Sequence, residues 1–453
     1  MNANTLKIKE SINNSCNSLR DEFPKWKTSI LIATLIWFTT TVLQIDRLFF
    51  QYDEETKNLL IVKLSYFGFL VCFIKFFIYA KSKISEGDPE FLRGWQVFRV
   101  YFSILSVLML ILWPGTWIWD DLGIILSISD YSNFCAWQHI FSGYFHDIFL
   151  QLFPFPAGII VIRNFINALC VAFAVVKIEK LFNIGKLNCT FLDYFIKLIP
   201  FLLPPVLIYQ FSGYRIGQYI YLELVLFTML IAKVKERTYI SWPYSIFLIF
   251  LCVVCSTWRT EAFIYIPATC IAICFIDKKF LSNQRKFDIF LLIVIGFICC
   301  NHVQKNALGN KNYELISLTS PCAAVVNVAN KETEKDLLDK INKVMSVDVI
   351  LNNANARGEE LFWALGIVKN GYTTDEFNDF FKSFIILSMK HPEAVFKERW
   401  KMFILATASG NNAWIPSTYA LFDYDNNSAA KAAISKNWFA FKPPFKKNTK
   451  KTC

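Results

Sequence analysis

Nine stretches of this chain are apolar over lengths that reach or approach a bilayer crossing, and that leaves few folds open. They run at about 28–45, 59–80, 97–113, 158–176, 191–209, 218–232, 240–256, 261–276 and 287–304. Some 20 apolar helical residues cross a hydrocarbon core, where every backbone group must find its partner inside the protein. The fold class that follows is an all-α polytopic membrane protein, a bundle of about nine transmembrane helices. Composition agrees: only 18% of the residues are charged and 45 are phenylalanine. Soluble domains carry about 25% charged residues.

The net charge of +11 could suggest nucleic acid as a partner. The basic residues do not form one stripe, however; they sit in short loops between apolar runs, as topology signals do. Nucleic acid is therefore not an expected partner, whereas membrane lipids are. With a cytoplasmic N-terminal segment 1–27, nine crossings place eighteen Lys and Arg in the short cytoplasmic loops and four on the other side. The four are Arg47, Lys57, Arg215 and Arg259. A tenth apolar run, 139–153, is shorter and carries His139, His146, Asp147 and Gln151. Were it to cross, every later loop would change sides and the charge asymmetry would cancel, so it reads as interfacial or re-entrant. Nothing in 1–27 reads as a cleaved signal, and the run from Thr28 reads as a retained span.

The transmembrane domain thus covers 28–304, with a catalytic outer loop over 114–157. From 305 the composition turns soluble, and a mostly helical extracytoplasmic region is expected over 305–441. Helices are expected over Glu332–Asp348 and Asp375–Met389, with a stop and restart at His391-Pro392. Glu393–Ala406 reads as an amphipathic helix on the membrane surface. The tail 442–453 reads as basic and disordered. Of the 13 cysteines, Cys252 and Cys255 make a C-x-x-C inside an apolar run. With no second pair at zinc spacing, they read as small hydrophobes.

The chemistry concentrates between Trp113 and Asp147. A Pro114-Gly115 break is followed by two adjacent carboxylates, Asp120 and Asp121, at the mouth of a span. Carboxylates there carry a desolvation cost and usually serve a function. Neighbouring side chains point apart, so the two do not form an acid–base couple by themselves. One of them acting as general base is reasonable, as is a shared site for a divalent cation (Mg or Mn). The plain structural alternative is a helix N-cap with an acidic first turn. His139 with Gln138, and His146 with Asp147, are polar pairs two helical turns apart, suited to phosphate binding, acceptor orientation or proton shuttling. Arg259 and Glu261 open a later span, where a guanidinium suits a phosphate and an internal Arg–Glu pair is the alternative. Tyr214-Arg215 has the same two readings. Arg163 and Asn164, early in the 158–176 run, read as packing.

Pro114-Gly115, Asp120 and Trp137-Gln138-His139, followed by many spans and a late soluble region, resemble the GT-C glycosyltransferases. The likeness is nearest to poorly characterised bacterial relatives of the protein O-mannosyltransferases and aminoarabinose transferases. Here Gln138 stands between tryptophan and histidine, and Ile140 stands where those relatives have proline. The resemblance implies an inverting membrane glycosyltransferase with a GT-C-like bundle. Its donor would be a polyprenyl-phosphate-linked sugar, and its acceptor a glycan, lipid or protein. Asp120 would match the family's loop acid, His139 the histidine of the following helix, and Arg259 the late arginine. The implied location is a bacterial inner membrane with an extracytoplasmic site. Two rivals remain: a transporter or lipid-linked oligosaccharide flippase, for which Lys63, Lys75 and Glu223 would be the intramembrane charges, and an envelope polysaccharide polymerase or ligase.

Overall fold

A computed structural model describes residues 26–50, 57–117, 124, 125, 128, 139–185, 190–308, 315–356, 358 and 360–406. The chain divides into two compact units, one reaching Leu308 and joined by 418–453, the other Gly309–Ser417. The described residues are helical throughout, apart from turns and two isolated bridges.

The first unit contains α1 (26–42), α2 (Lys57–Ser85), α3 (Pro89–Ile111), α4 (Ile140–Leu152) and α5 (Pro156–Leu181). It continues with α6 (Thr190–Leu202), α7 (Pro204–Gln210), α8 (Ile216–Glu236), α9 (Trp242–Trp258), α10 (Tyr265–Cys274) and α11 (Asn283–Leu308). Five of these, α2, α3, α5, α8 and most of α11, are long and apolar enough to cross a membrane. The 17-residue α9 and the two helices that make up the 191–209 run, of 13 and 7 residues, are each shorter than a full crossing. Pro200 lies inside α6 and Pro204 opens α7, so that run is two helices; a proline removes a backbone donor and clashes with the preceding turn. The 13-residue α4 is about 20 Å long at 1.5 Å per residue, too short to cross.

Helix starts follow local chemistry. Asp88 caps α3 by accepting from the Glu90 and Phe91 amides at 2.9 and 3.1 Å, and Pro89 takes the first helical position. Phenylalanines fill the seam between α2, α3 and α5: Phe165 meets Phe98, Phe102, Phe73 and Phe77 at centroid separations of 5.1–5.7 Å. Such edge and tilted contacts suit the ring quadrupole. Helix α5 lies at the centre, packed against α3 on one side and α8 on the other.

Hydrogen bonds sort the helix ends into two sets. At one end Arg93 of α3 bonds Glu179 of α5 at 2.7 Å and Asp193 of α6 at 2.6 Å, and Lys197 closes the ring on both carboxylates. Lys177 reaches Glu90 at 2.9 Å, and Arg285 of α11 donates to the Ile240 carbonyl before α9. At the other end Thr116 pairs with Ser212, Trp258 bonds Ser142, and Gln304 accepts from the Ile140 amide. The ion-paired end and the loop end are opposite ends of the same helices.

The second unit has its own core of Leu315, Cys322, Val325, Ile341, Ile350, Phe380 and Leu387. Its helices are α12 (Ile316–Val328), α13 (Lys335–Asn342), α14 (Val347–Asn352), α15 (Thr374–Lys390) and α16 (Pro392–Ala406). Glu332–Asp348, expected as one helix, is the short α13 and the start of α14 with a turn at 343–346 between them. The other two expectations meet α15 and α16, with Pro392 opening α16. Thr373 and Glu376 form a capping box at the start of α15. The tail 442–453 lies outside the described residues.

Candidate functional site

The loop end gathers five segments: the turn after α3, helix α4, the start of α5, the turn between α7 and α8, and the end of α9. Gly115 shows how tightly the first and fourth meet. Its φ is +103°, and a Cβ there would strike the Ile160 side chain and lie 2.8 Å from the Phe211 carbonyl. Only glycine accepts both the left-handed backbone and the approach. The Thr116 amide then donates to the Phe211 carbonyl at 2.7 Å.

Arg163 holds the turn between α7 and α8. It is 1% exposed, and its guanidinium donates to the carbonyls of Tyr214 at 2.9 Å, Tyr209 and Gln210 at 3.2 Å each, and Ser212. Asn167, one turn further along α5, donates to the Gly217 carbonyl at 2.8 Å. A planar five-donor group can serve several carbonyls at once, which an ammonium cannot do in the same geometry. The packing role expected for Arg163 is thus a specific one, the clamping of a loop. The side-chain atoms of its neighbour Asn164 are buried and hydrogen-bond no described residue.

His139 is not part of the helical face expected for it. It is the N-cap of α4, and its Nδ1 accepts from the Phe141 amide at 3.2 Å. The free lone pair of Nδ1 is thereby used, so the neutral ring carries its proton on Nε2. Nε2 is buried and meets no hydrogen-bond partner among the described residues. Burial pushes the imidazole down to about 4, and the charge of Arg215 adds to that. At neutral pH His139 is therefore an uncharged donor beside a guanidinium. This suits an anion.

His146, in the middle of α4, faces the Gly213 backbone, and its Nδ1 is buried without a described partner. Arg215 precedes α8, with its Nε buried and likewise unmatched among described residues. Trp258 ties α9 to α4: its Nε1 donates to Ser142 Oγ at 2.7 Å, and its ring stacks on Phe145 at 4.8 Å. Arg259 follows in extended conformation, and Glu261 lies in the 3-10 turn Thr260–Ile264. His139, His146, Arg215 and Arg259 are thus brought to one end of the bundle. Asp120, Asp121, Trp137 and Gln138 lie outside the described residues. Ile124, Ile125 and Ile128, from the same loop, are fully buried in the core.

Among the described residues no group of three His, Cys, Asp or Glu side chains could hold a metal ion. The divalent-cation reading rests on Asp120 and Asp121 alone. The intramembrane charges have local partners: Lys63 pairs with Asp46 at 2.9 Å, Lys75 lies 5.1 Å from the centre of the Trp26 ring, and Tyr265 donates to Glu223. Cys252 and Cys255 are buried free thiols.

Sequence reasoning missed the weight of Arg163, Asn164, Asn167, Gln210 and Gln218, all buried polar residues near this end. The signal was present: polar residues inside apolar runs are costly and face the bundle interior. No protein-family model, curated protein or solved structure matches this chain.

Proposed function

We propose that this protein is a polytopic membrane glycosyltransferase of GT-C type. It moves a sugar from a polyprenyl-phosphate-linked donor to a hydroxyl acceptor on the extracytoplasmic face. The observation that carries the reading is His139 Nε2, a buried neutral donor within the field of the half-buried Arg215, at the end of the bundle where the Asp120 loop begins and ends. A neutral N–H donor and a guanidinium at the same end of the bundle fit the phosphate of a lipid-linked sugar.

Asp120 takes the proton of the acceptor hydroxyl as its oxygen attacks the sugar's anomeric carbon. The bond from that carbon to the phosphate oxygen breaks, and its electrons leave with the polyprenyl phosphate. The charge that develops there is met by Arg215, by Arg259 and by the His139 Nε2 proton. His146 and Glu261 would join them in binding the substrate, and Asp121 would assist Asp120. Asp120 and Asp121 would also be the ligands if a divalent cation is bound.

Nine crossings, with α4 lying within the membrane surface, put this end on the non-cytoplasmic side of an inner membrane under the positive-inside rule. The alternation of ion-paired and loop ends along α3, α5, α8, α9 and α11 supports that count. The transporter reading is less favoured, because Lys63, Lys75 and Glu223 each have a local partner rather than forming a path.

The test is release of polyprenyl phosphate from lipid-linked sugar donors by the purified protein in liposomes. Asp120→Asn should lower turnover by at least about a hundredfold, as loss of a general base does, with unchanged melting. Full turnover in that variant would refute the assignment.

A further inference from the structure

Helix α3 carries a second polar feature, away from the loop end and unrelated to the chemistry above. Gln96, Arg99, Val100 and Ser103 recur at three- and four-residue spacing, so they form one stripe along the helix. With Tyr194 of α6 they line an open groove of about 430 Å³. Arg99 lies ten residues after Pro89, about 15 Å along the helix from its start. The apolar run of this crossing begins at Val97, so Arg99 stands near its ion-paired end.

Arg99 is exposed, and its one described interaction is with the ring of Trp95, whose centre lies 5.6 Å away. Gln96 and Ser103 make no hydrogen bond with a described residue. The groove therefore offers a guanidinium, an amide and two hydroxyls, and no carboxylate lines it. The nearby carboxylates of this end are already engaged: Glu179 and Asp193 by Arg93 and Lys197, and Glu90 by Lys177 and Lys180. Arg93 itself lies 5.0 Å over the opposite wall, the ring of Tyr194.

A lipid-facing arginine without an anion is expensive in a bilayer, and a phosphate relieves that cost. A helical side chain leans toward its helix's N-terminus, here toward the ion-paired end. The guanidinium is thus directed toward the headgroup layer of that leaflet, with its apolar stem and the Trp95 ring in the acyl region. We propose that the Gln96–Arg99–Ser103 stripe and Tyr194 form a binding site for the phosphate of an anionic phospholipid. The fork of Arg99 binds the phosphate oxygens, Gln96 and the hydroxyls of Ser103 and Tyr194 complete the set, and one acyl chain lies along the α3–α6 seam. The site belongs to the ion-paired end and is independent of the transferase reading.

The test is retention of phosphatidylglycerol against phosphatidylcholine on the full-length protein, followed by native mass spectrometry as lipid is titrated. Wild-type protein should hold phosphatidylglycerol preferentially. Arg99→Gln should weaken that retention about tenfold or more, as loss of charge-assisted hydrogen bonds to a phosphate does. Arg99→Lys should fall between the two. Lys81→Gln, which removes an exposed charge from the same end outside the groove, should stay near wild type. Melting in phosphatidylcholine alone should be equal for all four proteins.

Four results would overturn the proposal. The first is a wild-type protein with no preference, which needs no variant to read. The second is an equal loss in Arg99→Gln and Lys81→Gln, which would mean diffuse surface attraction. The third is displacement of the lipid by inorganic phosphate at matched concentration, which would make free phosphate the ligand. The fourth is loss of a dimer in Arg99→Gln with lipid retention unchanged, which would assign the arginine to a carboxylate on a second copy of the chain.

Discussion

His139 does two separable things, and substitutions can take them apart. Its Nδ1 caps α4 through the Phe141 amide, and its Nε2 proton is proposed to meet the donor phosphate. Asparagine places an oxygen where Nδ1 stands but nothing at Nε2; glutamine reaches Nε2 with an amide but is a poor cap; alanine lacks both. Loss of an N-cap costs about 1 kcal/mol of stability. A hydrogen bond to a charged group contributes about 1.5–3 kcal/mol, or about 10- to 150-fold in rate at 1.36 kcal/mol per decade. His139→Asn should therefore melt near wild type and release polyprenyl phosphate about 10- to 150-fold more slowly. His139→Gln should show the reverse, and His139→Ala both defects. The pH dependence adds a second reading. Because burial lowers the folded-state pKa to about 4, the unfolded chain binds the extra proton first. Stability should fall as the pH drops from the ordinary imidazole value of 6.5 toward 4, and His139→Asn should flatten that slope. A His139→Asn variant with wild-type turnover would reduce the histidine to a helix cap and remove the observation on which the transferase site rests.

Arg163→Lys should destabilise the bundle by about 2–3 kcal/mol, because one ammonium replaces a fork that serves four carbonyls. Thermal unfolding in detergent measures it, and an unchanged melting point would refute the clamp. In the second unit, Glu334 accepts from His391 at 2.9 Å, from the Asn330 amide at 2.9 Å and from Lys390 at 3.2 Å. The His391 bond leads in holding its carboxyl down to about 2 from the usual 4.5. Its contribution is complete above pH 4.5 and is lost as the pH falls toward 2. Amide exchange at Asn330–Leu338, corrected for intrinsic rates, should show protection decreasing across that window. The Glu334→Gln variant should lack the transition, and a transition that persists there would assign it elsewhere.

The helices were legible because apolar length is a property of the chain itself, and α2, α3, α5, α8 and α11 lie where the runs do. Where a helix breaks depends on single residues: Pro200 and Pro204 divide one expected span, and the turn at 343–346 divides an expected helix in the second unit. The charge asymmetry of the loops, a one-dimensional signal, already placed Arg215 and Arg259 on the side shared with the Asp120 loop, and the helix ends sort the same way. Roles within the site were harder to read. A histidine at the head of an amphipathic segment looks like a member of its polar face until the backbone shows it to be the cap, and capping then decides which nitrogen keeps the proton. Arg163 looked like packing because its partners are carbonyls, which every residue owns and no sequence pattern marks. The three loop segments near Thr116, Ser212 and Trp258 are separated by some 140 residues of chain, and only the antiparallel return of successive helices brings them together. What sequence could supply was a sided inventory of unusual polar residues. The fold adds what that inventory lacks: it gathers an ion-paired ring at one end of the helices, and at the other the turns that Arg163 clamps and the helix that His139 caps.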